Sequence, residues 1–226
     1  MATVLLGLMG VSVASVVHAV PAGAQSCPVQ VINGIEGDVG SGELVLAGTS
    51  TPAGPSSGDD WSDCNLSLAN FRGDNFSGVD LDDATLSGAA FDGVFFQGSN
   101  LVGANFTGAS VTDAYFTNTD LAGDVFTGTS FDDIGSGGVT GTPATALPAD
   151  WALAGGYLFG PTANLGSANL GGLDLSTYDL ADAAFWNVSS GGTTGTPTLP
   201  SDVELVPGGY LIAPEADLEL ARPGGR

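Results

Sequence analysis

Between residues 64 and 133 an apolar side chain returns every five positions. The centres are Leu66, Phe71, Phe76, Leu81, Leu86, Phe91, Phe96, Leu101, Phe106, Val111, Phe116, Leu121, Phe126 and Phe131. Two residues before each centre the chain is small in twelve of fourteen units, and only Asp74 and Asp124 depart. Two residues after each centre it is Gly, Asn or Asp in thirteen units, with Leu68 the exception. Those residues tolerate positive φ, so the period specifies a turn as well as a buried position. A period of five matches neither the helical 3.6 nor the strand period of 2, which excludes an amphipathic helix and an ordinary alternating strand. Internal repetition therefore governs the reading of the whole chain.

Sorting the centres at a spacing of 20 separates them by type: Phe76, Phe96 and Phe116; Leu81, Leu101 and Leu121; Phe71, Phe91, Val111 and Phe131; Leu66, Leu86, Phe106 and Phe126. Three units per coil would mix Phe with Leu in most columns, so the sequence favours four. Like side chains pack on like without gaps. Ala69-Asn70-Phe71-Arg72-Gly73 and Ala104-Asn105-Phe106-Thr107-Gly108 match the pattern A(D/N)LxG, and over residues 64–133 and 163–187 the chain resembles the pentapeptide repeat proteins. The resemblance implies an all-β fold, a right-handed quadrilateral β-helix (solenoid), with centres and small residues inward and coils about 4.8 Å apart.

One recurring insertion breaks the array twice. Residues 134–162 contain Thr140-Gly141-Thr142-Pro143 and Gly156-Tyr157-Leu158; residues 188–215 contain Thr194-Gly195-Thr196-Pro197 and Gly209-Tyr210-Leu211. Each predicts a β-hairpin, the first with 151–153 and 157–159 flanking Ala154-Gly155-Gly156. Between them lie units centred on Leu165, Leu170, Leu175, Leu180 and Phe185, where Leu173 and Tyr178 break the small-residue rule and predict a wider or irregular coil. Residues 25–63 read as an N-terminal cap with a loop at 51–58 and an alternating run at Glu43-Leu44-Val45-Leu46. In the tail, 216–226, Ala216-Asp217-Leu218 begins another unit. Either a partner covers the final edge, a homodimer through the uncapped end being one form, or the chain is a fragment.

Charge changes the picture. There is no Lys, only three Arg, 25 acids and a formal net charge of −22. Such a surface repels nucleic acid and is not drawn to anionic membranes; its bland role is solubility and protection of strand edges. Residues 2–20 form an apolar run followed by Ala22-Gly23-Ala24, which reads as a signal peptide cut after Ala24 and implies secretion. The run lacks a basic start, so a misplaced start codon or an uncleaved membrane anchor through 2–20 is the alternative. In an oxidising compartment Cys27 and Cys64 pair, stapling the cap to the first coil at about 4 kcal/mol in the chain-entropy model, with two free thiols the alternative if the run at 2–20 is not a signal peptide.

The single His, His18, lies in the signal segment. Ser-His-Asp and Cys-His nucleophiles and His or thiolate zinc sites are thereby excluded from the mature chain, and no cofactor is expected. Paired carboxylates remain, but Asp80, Asp82, Asp83, Asp132 and Asp133 fall at outward positions of a convex rod and read as solvated surface; weak Ca²⁺ binding there has no supporting motif. Asp74 and Asp124 fall inward, and must bond backbone N–H groups or sit near an end. Phe95 and Tyr115, 20 apart, stack on one outer face; cover by one of the chain's own insertions is preferred to a free contact surface. Four Asn-x-Ser/Thr sequons at Asn65, Asn75, Asn105 and Asn187 follow from the repeat itself.

The leading expectation is a secreted, non-enzymatic scaffold with an unknown protein or surface partner. The resemblance implies a second: some pentapeptide repeat proteins inhibit DNA gyrase by presenting DNA-like acidic faces on a dimeric rod. Ice binding by the hydroxyl column Ser67, Ser87, Thr107 and Thr127, and a carboxylate hydrolase, are weaker.

Overall fold

The computed structural model describes Cys27, residues 29–32 and 35–38, and residues 54–213. The signal run, the alternating run at 43–46 and the fragment beginning at Ala216 lie outside these residues. Among the described residues there is no helix; every regular element is a short strand.

The five-residue unit explains the fold. In a typical unit the centre's carbonyl accepts from the N–H three residues on, as Asp74 N does from Phe71 O at 2.9 Å, closing a turn whose third residue takes positive φ. All fourteen positions two after a centre do so, including Leu68 at φ 61°. The remaining backbone groups bond to the coil 20 residues on, as Phe71 N does to Ala90 O at 2.9 Å. Parallel pairing at that spacing runs from Asp60↔Asp80 to Asp120↔Thr140, and is long enough in two places to form strands: β3 (Ser110–Thr112) with β5 (Ser130–Asp132), and β4 (Tyr115–Thr117) with β6 (Gly135–Gly137).

The stacking begins earlier than residue 64. Trp61 is buried where the preceding unit has its centre, Asp63 and Gly58 take the matching positive φ, and the Trp61 ring meets the Phe76 ring edge-on at 5.5 Å. The centres then form ladders, Phe76–Phe96 at 5.5 Å and Phe96–Phe116 at 5.0 Å in one, Phe106–Phe126 at 5.3 Å in another. Each such buried ring contributes about 1.5–3 kcal/mol. Upstream, β1 (Val29–Ile32) and β2 (Ile35–Asp38) pair antiparallel, and Cys27 is bonded to Cys64, which is fully buried in the small slot of its unit.

The insertions are modified coils rather than excursions. Thr140 and Thr194 still pair with the coils below. The hairpins then replace the rest of a turn: β7 (Ala152–Ala154) with β8 (Tyr157–Phe159), and β9 (Glu204–Val206) with β10 (Tyr210–Ile212). The first loop is two residues, Gly155 and Gly156, both at positive φ, and not the three expected, because Ala154 still pairs with Tyr157. Both hairpins are pinned alike: the amides of Leu158 and Leu211 donate to the hydroxyls of Ser136 and Ser190, each at 2.8 Å. Ser136 pairs beside Phe116, where the period would place another centre.

Stacking resumes at Gly135↔Asn164 and Asn164↔Ala184. The coil at 163–187 is irregular: Thr177 and Asp182 lack the positive φ of their counterparts, and Tyr178 stacks on Phe159 of β8 at 4.7 Å.

Candidate functional site

Each unit turns the residues just before and just after its centre outward, so the surface consists of four rows of such pairs. In the Leu81 row these include Asp80, Asp82 and Asp120, with Asp83 at the corner; in the Phe71 row Arg72, Asp92 and Asp132, with Asp113 and Asp133 at the corner. Arg72 is ion-paired with Asp92. Partial burial, and after it the crowding of neighbouring acids, push Asp82 and Asp133 up from the usual carboxylate range; for Asp133 the facing Asp113 is a main cause after burial.

The other two rows differ. In residues 65–127 the Leu66 row presents Asn, Ser, Thr and one Val, with no acid. Two of its hydroxyls turn back on the protein: Ser67 and Thr107 donate to the Oδ1 of Asn65 and Asn105 at 2.7 and 2.6 Å. The Phe76 row is free of charge throughout its described length. Before the centres stand Asn75, Phe95, Tyr115, Gly135, Asn164 and Ala184; after them Ser77, Gln97, Thr117, Gly137, Gly166 and Trp186.

Phe95 and Tyr115 lie on this row, their rings 5.2 Å apart and within 9° of parallel. The insertions do not cover them, contrary to the expectation: they are 47% and 37% exposed. The hairpin of the first insertion instead packs over the top of the array, where Trp151 meets Phe131 edge-on at 5.4 Å. The same row carries Trp186, 49% exposed, which sequence reading missed. Its signal was available, since position 186 follows a centre in the row of Phe96 and Phe116, but the first insertion hides the register. Tyr115 leans over Gly135 and Trp186 over Gly166, where a Cβ would strike the rings. Neither glycine has positive φ, so it is close approach of the aromatic side chain that calls for glycine there.

The inward acids behave as their positions demand. Asp124 is fully buried and its Oδ1 accepts from Ala104 N at 3.1 Å, while Oδ2 has no partner. Burial, aided by Asp120, pushes its carboxyl up to about 8 against the pull of the Ala104 and Gly103 amides. Asp74 is half-buried beside Gly54 at the N-terminal end. Among the described residues an open cleft of about 420 Å³ between residues 141–147 and Leu153 is lined by no ionisable group. Among the described residues no three His, Cys, Asp or Glu converge as a metal site.

At the far end Ile212 is 43% exposed, whereas its counterpart in the first hairpin, Phe159, is fully buried beneath the coil that follows.

Two models of pentapeptide repeats match the chain, one of nine copies over residues 60–100 and one of eight copies over 84–123 and 99–133. No curated protein matches. Solved structures with similar coordinates include HetL from the cyanobacterium Nostoc sp. strain PCC 7120, a pentapeptide repeat protein involved in heterocyst differentiation regulation (17% identity, 69% of this chain, TM-score 0.33). Others are a pentapeptide repeat protein of the Arabidopsis thaliana thylakoid lumen (21%, covering 56% of this chain and 68% of that one, TM-score 0.21) and QnrB1, a plasmid-mediated fluoroquinolone resistance protein (16%, covering 78% and 91%, TM-score 0.24). This chain spans 63% of the length of HetL. The match of both repeat models to the stretch where the five-residue period, the turns and the stacked rings coincide identifies residues 60–133 as an array of pentapeptide repeats, the repeat of a family whose members fold as right-handed β-helices.

Proposed function

We propose that this protein is a non-enzymatic scaffold that works outside the cytoplasm, a quadrilateral rod capped at its N-terminal end and bound by a partner at its outer surface. The observation that carries the reading is the Cys27–Cys64 disulfide, with Cα atoms 5.6 Å apart, which belongs to an oxidising compartment. The apolar run at 2–20 and Ala22-Gly23-Ala24 before Cys27 support the same reading. The test is N-terminal sequencing of the protein recovered from the extracellular fraction, with thiol titration before and after reduction. Mature protein beginning at Gln25, with no free thiol until reduced, is expected. Recovery in the cytoplasm with an intact N-terminus and two free thiols sinks the proposal; recovery in the membrane fraction with the run uncut assigns 2–20 as an anchor.

A second reading rests on the acids that, between residues 60 and 133, flank the centres of alternate rows only, Asp80, Asp82 and Asp120 on one and Asp92 and Asp132 on the other. Two such stripes on a rod support mimicry of a DNA duplex and inhibition of a topoisomerase such as gyrase. Cytoplasmic location together with inhibition of DNA supercoiling is its signature. Exposure of Ile212 supports pairing of two copies through the C-terminal end in either reading; sedimentation of wild type against Ile212→Asp reads it directly.

A further inference from the structure

The Phe76 row is peculiar for this molecule. On a chain with a net charge of −22, a surface row six coils long carries no acid and no base at the positions flanking its centres, the nearest carboxylates being Asp113, Asp133 and Asp182 at its corner and half-buried Asp74 at its N-terminal end. Three of the five large hydrophobic side chains exposed among the described residues, Phe95, Tyr115 and Trp186, stand on it. The floor between the rings is flattened to glycine at Gly135, Gly137 and Gly166.

The polar groups at its two ends are amides already fixed on one side. Asn75 commits its Oδ1 to the Ser77 amide at 2.9 Å, which turns its Nδ2 to an outside acceptor; Asn187 donates Nδ2 to Ser167 Oγ at 3.2 Å and keeps Oδ1 for an outside donor. Gln97 stands exposed beside Phe95.

We infer that this face binds a neutral polysaccharide lying along the rod axis. An uncharged row offers no ion pair to either an anionic or a cationic ligand, and it spares an incoming neutral chain the cost of desolvating carboxylates. Flat aromatic rings take the C–H faces of pyranose rings, while fixed amides exchange hydrogen bonds with hydroxyl groups whose polarity a purely apolar face would reject. The coil repeat of about 4.8 Å is of the same order as the length of one pyranose unit, so an extended glycan lying along the row spans several coils and can reach both the Phe95–Tyr115 pair and Trp186. Opposite it, the Leu66 row is also acid-poor but offers no exposed ring, and its Ser67 and Thr107 hydroxyls are engaged within their own units. The inference names the partner class of the scaffold proposed above and rests on that reading, but it is tested on purified protein, so its failure leaves the location and disulfide results standing.

The experiment is native affinity electrophoresis of the disulfide-bonded protein in gels containing hydroxyethylcellulose, glucomannan or xylan, with polygalacturonate as the anionic control. Retardation by at least one neutral polymer and none by polygalacturonate is expected, weakened about tenfold or more in Trp186→Ala and in the double variant Phe95→Ala/Tyr115→Ala. The buried ladders beneath these side chains are untouched, so the variants are expected to melt cooperatively, and their melting curves separate lost binding from lost fold. No retardation by any neutral polymer overturns the inference, as does retardation undiminished in the variants. A wild-type dimer by sedimentation that Trp186→Ala turns into a monomer, without retardation, overturns it too and assigns the face to a second copy of the chain.

Discussion

Leu68 occupies a backbone conformation that the other corner positions of the array give to Gly, Asn or Asp, at φ 61°, and its side chain, 46% exposed, hangs over Gly88. The left-handed region costs a side chain with a Cβ roughly 1–2 kcal/mol, part of which glycine returns as extra freedom when unfolded. Leu68→Gly is therefore expected to raise stability by about 0.5–1 kcal/mol, a Tm increase of about 1–4 °C by calorimetry. Asp124 makes the opposite point, since a buried carboxyl is tolerated there only because it stays neutral. Its folded pKa, about 8, lies above its ordinary value of 3.8, so folding takes up a proton between those values and stability falls as pH rises across that window. For one proton the slope approaches about 1.4 kcal/mol per pH unit. Chemical denaturation at pH 5 and pH 8 is expected to show wild type losing stability at the higher pH and Asp124→Asn losing far less. A variant with the wild-type slope means another group carries the effect. The inward placement of Asp124 was legible from the five-residue register alone; its neutral state was not, because that depends on how completely the coil above closes over it.

At the scale of the element, the repeat was legible because every unit solves the same problem: bury a centre, fit a small residue beside it, turn at a left-handed corner. The insertions were not, because their decisive contacts are single and distant. Ser136 reads as one more small polar residue, yet its hydroxyl accepts the Leu158 amide 22 residues on, and Ser190 repeats the device 21 residues before Leu211. Leu158 and Leu211 are both fully buried, so deleting the acceptor leaves an N–H without water or partner, at about 1–3 kcal/mol. Ser136→Ala is expected to speed amide exchange at Leu158 and open the Gly155-Gly156 loop to protease while the Phe ladders keep their protection. Uniform destabilisation of the whole array after Ser136→Ala would show that the hairpin is part of the main folding unit. Likewise Trp61 escaped the sequence reading because the unit around it, Asp60-Trp61-Ser62-Asp63, has Gly at its edge and a Pro/Ser loop before it, and so looks like linker. Only its stacking against Phe71 and Phe76 shows that the array has begun.

For the whole molecule the claim with most content is that the columns, and not merely the five-residue units, determine stability. A solenoid's stability is approximately a sum of unit terms and nearest-neighbour terms, so a clean excision tests the neighbour terms. Deleting residues 86–105 removes 20 residues, one full coil by the observed pairing. Thr85 is then followed by Phe106, and every remaining centre keeps its own row. Deleting only residues 86–95 removes half as much chain and preserves the five-residue grammar, but it rotates all later units by two rows: Leu66 then lies beneath Phe96, Phe71 beneath Leu101, and Leu81 beneath Val111. Leu and Phe differ in volume and shape, and each mismatch leaves a void or forces a strained rotamer at about 1–3 kcal/mol. It also moves the Ser136 pin and the hairpin away from the rows they pack on. The shorter protein, lacking 86–105, is expected to melt cooperatively at a higher temperature than the longer one lacking 86–95, although it has lost more buried surface. If instead stability follows chain length, with the ten-residue deletion the more robust, then any pentapeptide unit stacks on any other, and the sorting of Phe and Leu into columns carries no energy.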